Sequence, residues 1–195
     1  MTKSFVERRV RKKLVHQGRA VAFRVDTVRM PDGKHATREF LDHWGAVAVV
    51  PFLDPKTVVL VRQFRYPVGE TTWELPAGKL DKGEKLLSCL ERELREETGY
   101  TAGRVRPLIA YWPTPAFSNE VIHIYVADRL KPGRMSPDED EFIEARKVPF
   151  KTALRWAQNG KIKDSKTVIA LMACAVKGLA RAPRDGAKGK RAARA

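Results

Sequence analysis

Residues Gly78 to Tyr100 read GKLDKGEKLLSCLERELREETGY, and this stretch divides its side chains between two jobs. Leu86, Leu87, Leu90 and Leu94 recur at spacings of one, four and eight, the periodicity of a helix with one buried face. Asp81 followed by Glu84 has the spacing of a capping box and predicts the helix start there. Gly99 predicts the stop, because the residue just past a helix end commonly needs a positive φ. Glu93, Glu96 and Glu97 fall on another side of the same helix, since residues three and four apart lie one above the other. Like charges so placed weaken a helix by about 0.2–0.5 kcal/mol per pair. A cation would offset that repulsion, and carboxylate oxygens suit a hard ion such as Mg²⁺ or Mn²⁺. Taken alone, the carboxylates also fit a solvated acidic face balanced by Arg92 and Arg95.

Upstream of the helix the chain alternates. Gln17 to Met30, which contains the alternating run AVAFRVDTVRM, and the returning HATREFLDH flank Pro31-Asp32-Gly33 and predict a hairpin. Ala46 to Phe52 and Thr57 to Phe64 predict two strands joined by a turn at Asp54-Pro55. Downstream, Val105 to Trp112 and Val121 to Ala127 predict strands around the loop Pro113 to Glu120. Arg134 to Glu144 reads as an acidic loop, and Phe150 to Asn159 and Ser165 to Leu179 as helices. Strands on either side of one helix, followed by two more helices, suit a mixed sheet covered on both faces.

Composition narrows the class. A chain of 195 residues with 43% hydrophobic content can bury one proper core. No apolar run approaches the ~18 residues of a membrane span, and the basic N-terminus has no apolar stretch behind it to make a secretory signal. Cys89 and Cys174 have no metal or redox spacing and read as core thiols of a cytoplasmic protein. The net charge of +15 sits largely at the ends: residues 1–13 hold six Lys/Arg against Glu7, and residues 181–195 hold six against Asp185, a net +5 each. The C-terminal tail has no apolar pattern and is expected to be disordered. It reads as a solubilising tail rather than a nucleic-acid arm, although basic tails can bind phosphates weakly. His16, His35, His43 and His123 have no ligand spacing.

The full spacing of the opening stretch is more specific than its charges. Gly78 is followed after five residues by Glu84, then after seven by Arg92-Glu93-Leu94, then by Glu96-Glu97, Gly99 and an apolar Tyr100. This resembles the Nudix box at each of its defining positions. The resemblance implies an α/β (α+β) protein with the Nudix fold, an α/β/α sandwich around a mixed sheet, here with an N-terminal β-hairpin extension. The expected organisation is a basic segment over 1–14, a hairpin region for dimerisation and substrate contact over 15–44, the Nudix hydrolase domain over 45–180 and the basic tail over 181–195.

Outside the box, the lead-in RQFRYPVGETTWELPAGKLDKGE, Pro115, the segment PDEDEFIE and the hairpin with TREF resemble the ADP-ribose pyrophosphatase branch, which includes hydrolases of other nucleoside diphosphate sugars. That resemblance implies Mg²⁺-dependent (or Mn²⁺-dependent) cleavage of ADP-ribose to AMP and ribose 5-phosphate by a homodimer. It implies that the Ala77 carbonyl and the carboxylates of Glu93, Glu96 and Glu97 hold metal, that Glu139 is the general base, and that Glu141 is a metal or water contact. Glu84 and Arg92 would tie the box together. Arg65 would bind the diphosphate, for which a guanidinium fork is well suited. Lys79, Thr114, Pro115, Ser118 and Glu120 would lie against substrate, and Arg38 and Glu39 near it, contributed by the partner subunit. An adenine needs an aromatic or apolar clamp, to which Phe23 could contribute if it is not a core residue. Without the box, Arg65 reads as a surface ion pair and the acidic loop as solvated.

One position departs from the branch: Thr114-Pro115-Ala116 stands where Ser-Pro-Gly is usual. Losing that glycine removes a backbone position able to approach a ligand closely. A broader nucleoside diphosphate sugar hydrolase, acting for example on GDP-mannose, is therefore the alternative. Hydrolysis of capped RNA or dinucleoside polyphosphates, and a non-catalytic binding module, are further alternatives; the intact carboxylates weigh against the last.

Overall fold

Two β-sheets organise the chain. The structure, a computed structural model, describes residues 4–19, 21–137 and 141–179. The first sheet holds β1 (Arg8–Arg11), β2 (Leu14–Gln17), β3 (Ala22–Arg29) and β4 (His35–Asp42). β3 pairs with β4 along its whole length, from Ala22 opposite Asp42 to Arg29 opposite His35. Its other edge takes β1 and then β2, also antiparallel. The expected hairpin is thus β3–β4, with its turn closed by the Met30 and Lys34 backbones and Gly33 at φ 86°. β1 and β2 were not foreseen. They are short and exposed at every residue, so they carry none of the alternation that marks a half-buried strand.

The second sheet is built on β5 (Ala46–Asp54) and β6 (Thr57–Arg65), with β7 (Glu70–Glu74), β8 (Ala77–Lys79), β9 (Tyr100–Tyr111), β10 (Ile122–Pro132) and β11 (Glu144–Pro149). It is mixed: β10 runs parallel to β5, and all other pairs are antiparallel. Asp54 closes the β5–β6 turn by accepting the Lys56 N–H at 2.7 Å, a turn role that short Asx side chains commonly play. The acidic loop ends sooner than expected, because Glu144 already begins β11 on the edge of β6.

β5 is apolar at nearly every position because it is covered on both faces. Ala46, Ala48, Val50 and Phe52 join one core with Phe150, Ala153, Ala157, Ala170, Leu171 and Cys174 of α2 (Phe150–Gln158) and α3 (Ser165–Val176). Val47 and Val49 point the other way and join Cys89, Leu90 and Leu94 of α1 (Leu86–Thr98). Period-2 alternation in one strand therefore feeds two helix layers, giving the α/β/α sandwich. Each buried Leu or Val contributes roughly 1.5–3 kcal/mol.

The box helix differs from expectation at its start and agrees at its end. It begins at Leu86, not near Asp81–Glu84, and Lys85 is an N-cap without a side-chain bond. Glu84 does accept the Asp81 N–H at 3.1 Å, but this bond closes a turn ahead of the helix, since Arg92 also holds that carboxylate. Leu87 is half exposed and Cys89 takes its place in the core. Gly99 ends the helix at φ 74°, donating its N–H to the Arg95 carbonyl. No helix among the described residues is long and apolar enough to cross a membrane.

Candidate active site

β5 forks the sheet. On the edge away from β10, its first residues pair with β8 and its last with β6. Between the two, the Val49 N–H reaches the carbonyl of Pro76, a residue with no N–H to continue a ladder. The register fixes what gathers at the open end. Ala46 lies opposite Lys79 on one side and Ile122 on the other. Leu80 donates to the Gly45 carbonyl and Ala46 to that of Val121. The box loop after β8, the link from β4 to β5 and the loop before β10 are thereby stitched together at Gly45–Ala46.

At this end the box presents its carboxylates. A Cβ on Gly78 would stand 1.7 Å from Glu93 Oε1 and 1.9 Å from its Cδ, so only glycine lets Glu93 lie against β8. Glu97, 2% exposed, accepts the Ala77 N–H at 3.0 Å. Burial pushes its pKa up to about 8, and the charges of Glu93 and Glu141 add to the rise against the pull of the Ala77 N–H. Burial also raises Glu93, opposed by Arg92. Arg92 is the clasp of the box. It donates to both Glu84 oxygens at 3.2 and 3.3 Å, to Glu93 at 2.7 Å and to Glu96 at 3.2 Å, and it holds Glu84 below the usual carboxylate range.

No three acidic, His or Cys side chains among the described residues are already drawn close enough to hold a metal ion. The donor set nonetheless fits one. Buried Glu97 and partly buried Glu93 are neighbours, and the charge of a third carboxylate, Glu141, raises both. Glu97 forms no ion pair among the described residues. A buried anion without an ion pair, as Glu97 would be, is stabilised by a divalent cation. Glu139 lies outside the described residues.

Across the same end, β4 and the loop Pro113 to Glu120 are fused. Leu41 donates to the Phe117 carbonyl at 2.9 Å and accepts from Asn119 at 3.3 Å. The Asn119 side chain spans Asp42 and the His43 N–H at 2.6 and 2.8 Å. The loop is turned by the Thr114 carbonyl, which accepts the Phe117 and Ser118 N–H groups. Between strand and loop lies a cleft of about 230 Å³ lined by Arg38, Glu39, Phe40, Pro115, Phe117 and Ser118, among others.

The NUDIX domain family matches residues 42–171, which include the box, both core faces of β5 and the loop before β10. The chain belongs to the Nudix hydrolase family. It is 37% identical over 171 residues to an ADP-ribose pyrophosphatase of Bacillus subtilis (strain 168), covering 87% of this chain and 92% of that one. It is 40% identical over 173 residues to a methanol dehydrogenase activator of Bacillus methanolicus, covering 88% and 94%. A GDP-mannose pyrophosphatase of Salmonella arizonae is 39% identical over 140 residues, covering 65% and 71%. A crystal structure of an ADP compounds hydrolase superposes with a TM-score of 0.79 at 22% identity, covering 93% of this chain and all of that one; it supports the Nudix fold.

Within this Nudix chain, the residues singled out by sequence gather at the box, in or beside the cleft, or apart from both. Ala77, Glu93 and Glu97 converge at the box, with Glu96 held to one side by Arg92 and by Arg95 at 3.6 Å. Arg38, Glu39, Pro115 and Ser118 share the cleft, where Arg38 is tied to Glu7 through two nitrogens. Thr114 and Glu120 flank it; Glu120 lies 3.8 Å from His43 and takes part in the loop turn through the Ser118 hydroxyl. Lys79 is exposed at the end of β8. Arg65 is not free: Nε and Nη2 each bond Glu74 at 2.7 Å. Phe23 is half-buried in β3 opposite Leu41 and does not line the cleft, whereas Phe40 and Phe117 do.

Sequence reasoning missed Glu7, Glu74, Phe40 and Phe117. Phe40 and Phe117 stood in segments already singled out, TREF and the loop Pro113 to Glu120, and their being aromatic was the available signal. The larger surface cavity, about 310 Å³, holds none of the site residues. It lies by α2, where Trp73 and Trp156 pack at 5.4 Å and are capped by Arg62 and Lys161.

Proposed function

We propose that this Nudix hydrolase cleaves the diphosphate linkage of ADP-ribose to AMP and ribose 5-phosphate with a divalent cation, Mg²⁺ or Mn²⁺. One observation carries the reading: the register of β5 brings the box carboxylates and the β4–loop cleft to the same end of the sheet. A substrate with an anionic centre and two sugar-bearing ends needs that combination. The similarity to an ADP-ribose pyrophosphatase over most of both chains supports the same substrate.

In this reading the Ala77 carbonyl, Glu93, Glu96 and Glu97 hold the cation, with Glu141 beside them. When bound, the cation supplies charge neutralisation and Lewis acidity to the diphosphate. Arg65 binds phosphate oxygens through its outward N–H groups. Glu139 accepts the proton of the attacking water. Lys79 adds a charge at the entrance, and Thr114, Pro115, Ser118 and Glu120 face the terminal ribose. Phe40 and Phe117 offer an apolar surface for a base. The β1–β4 sheet forms the homodimer contact, through which the partner's copies of Arg38 and Glu39 approach the substrate. The two buried, unpaired thiols suit a cytoplasmic setting.

A second reading has its own support. Ala116 replaces the usual glycine, and a GDP-mannose pyrophosphatase is among the relatives. Turnover of ADP-ribose, GDP-mannose and UDP-glucose, each with and without Mg²⁺, tests both. A clear lead for ADP-ribose that vanishes in EDTA is expected. Equal rates across the sugars would favour the broad hydrolase, and full activity in EDTA would defeat the metal-dependent reading.

A further inference from the structure

We infer that Glu74 is a positioning residue for the diphosphate site, acting through Arg65 and itself held by Thr72 and Lys166. The inference rests on the reading of Arg65 as the diphosphate contact. Glu74 is 1% exposed at the end of β7. Its Oε1 accepts from Arg65 Nε at 2.7 Å and from the Thr72 hydroxyl; its Oε2 accepts from Arg65 Nη2 at 2.7 Å and from Lys166 Nζ. Four donors on two oxygens leave the carboxylate no freedom to turn.

The consequence for Arg65 is directional. A fork-to-fork pair fixes the guanidinium plane as well as its distance. Nε and one hydrogen of Nη2 are used, and the Arg65 guanidinium has no other hydrogen-bond partner among the described residues. Its side chain is 43% exposed. Nη1 and the second Nη2 hydrogen are left as a rigid, outward pair of donors, the geometry that binds two phosphate oxygens. A lysine, a point charge on a flexible stem, could not be aimed this way.

The anchor reaches further. Lys166 also donates to Asp164 at 2.8 Å, and Asp164 caps α3 by accepting the Thr167 N–H at 3.0 Å. The Thr167 hydroxyl accepts the Leu75 N–H at 2.8 Å. The first turn of α3 thus grips residues 74 and 75, while two residues on the Ala77 N–H grips Glu97. One short segment links the arginine, the end of α3 and the buried box carboxylate.

Pre-ordering one long side chain is worth about three- to tenfold in affinity. The test compares wild type, Arg65→Ala, Glu74→Gln and the double variant, reading KM and kcat for ADP-ribose and the Kd of ADP by calorimetry. Glu74→Gln is expected to raise KM and the ADP Kd about three- to tenfold with kcat changed less, and to add nothing in the Arg65→Ala background. Thr72→Val should give a smaller rise and Thr72→Ser restore it, a pair that decides the matter if Glu74→Gln does not fold. Additive effects, or a lower Tm with KM and Kd unchanged, would overturn the inference. Wild type that binds ADP but does not turn over ADP-ribose would defeat the hydrolase reading alone, and the ADP arms would still decide the role of Glu74. Wild type that does not bind ADP would defeat both.

Discussion

Glu74 and Glu97 are buried to the same degree, at 1% and 2% exposure, yet they are pushed in opposite directions. Glu74 is lowered to about 2: burial raises it, but Arg65, Lys166 and Thr72 more than offset that. Glu97 is raised to about 8 because burial and the charges of Glu93 and Glu141 outweigh the Ala77 N–H and the more distant charge of Lys166. Burial sets the cost of the charge, and the partners decide whether that cost is met. The Glu74 region is finished structure. The Glu97 region holds a buried acid with no ion pair among the described residues, and the divalent cation proposed for it would supply the missing charge.

The largest test of this contrast is Glu97→Gln. If Glu97 is a metal ligand, the lost charge stabilisation of several kcal/mol should lower kcat/KM by on the order of 10³-fold. Metal-free stability should stay the same or rise, since the variant no longer buries an uncompensated acid. A stable variant with near-normal turnover would break the comparison. Glu74→Gln should do the reverse in denaturant. Opening a buried pair leaves Lys166 and Arg65 short of their partner, and roughly 2–4 kcal/mol of unfolding free energy should be lost. Equal destabilisation by both substitutions would mean that Glu97 has a structural partner after all.

The two acids also predict opposite pH dependences. Glu74 has a depressed folded pKa, so its stabilisation is present above the unfolded value of 4.5 and is lost as pH falls toward about 2. Glu97 has a raised folded pKa, so the metal-free protein should be free of its penalty below 4.5 and lose stability as pH rises toward about 8. One proton gives a slope of at most about 1.4 kcal/mol per pH unit. Urea titrations in EDTA between these limits should show that slope, and both Glu97→Gln and saturating Mg²⁺ should flatten it, the metal because it competes with the proton for one carboxylate. A slope unchanged in Glu97→Gln would remove Glu97 from the account.

How much of this was legible in the chain depends on the range of the interaction. Gly99 as the helix stop, the β3–β4 hairpin and the two strands around Asp54-Pro55 are local signals, and each stands where the residues put it. β11 was hidden in EARKVP, where only Val148 is buried, so no period shows. The helix start was misplaced because Glu84 answers to Arg92 as well as to Asp81. Periodicity put Glu93, Glu96 and Glu97 together and could not say which one is buried, since that is settled by where β8 lies. The Glu74 anchor was least legible of all, because Lys166 stands 92 residues away.

Gly78→Ala gives the smallest expected effect and the sharpest separation. The new Cβ would meet the end of the Glu93 side chain, at 1.7 Å from Oε1 and 2.5 Å from Cγ. A side chain can move where a backbone cannot, so Glu93 should swing away from β8 at little cost in stability, about 1 kcal/mol or less. The cost should fall on function. If Glu93 holds a cation with Glu97 as proposed, a displacement of even ~1 Å would break that sharing, and misplacements of that size cost up to ~10²-fold in rate; about tenfold is expected here, with a matching rise in the Mg²⁺ concentration needed for half-maximal activity. The Glu74 side of the comparison predicts no such decoupling, since nothing there can move without opening a buried pair. If Gly78→Ala instead unfolds the protein while its metal requirement stays unchanged, then Gly78 serves the packing of β8 on α1, and Glu93 owes its place to Arg92 alone.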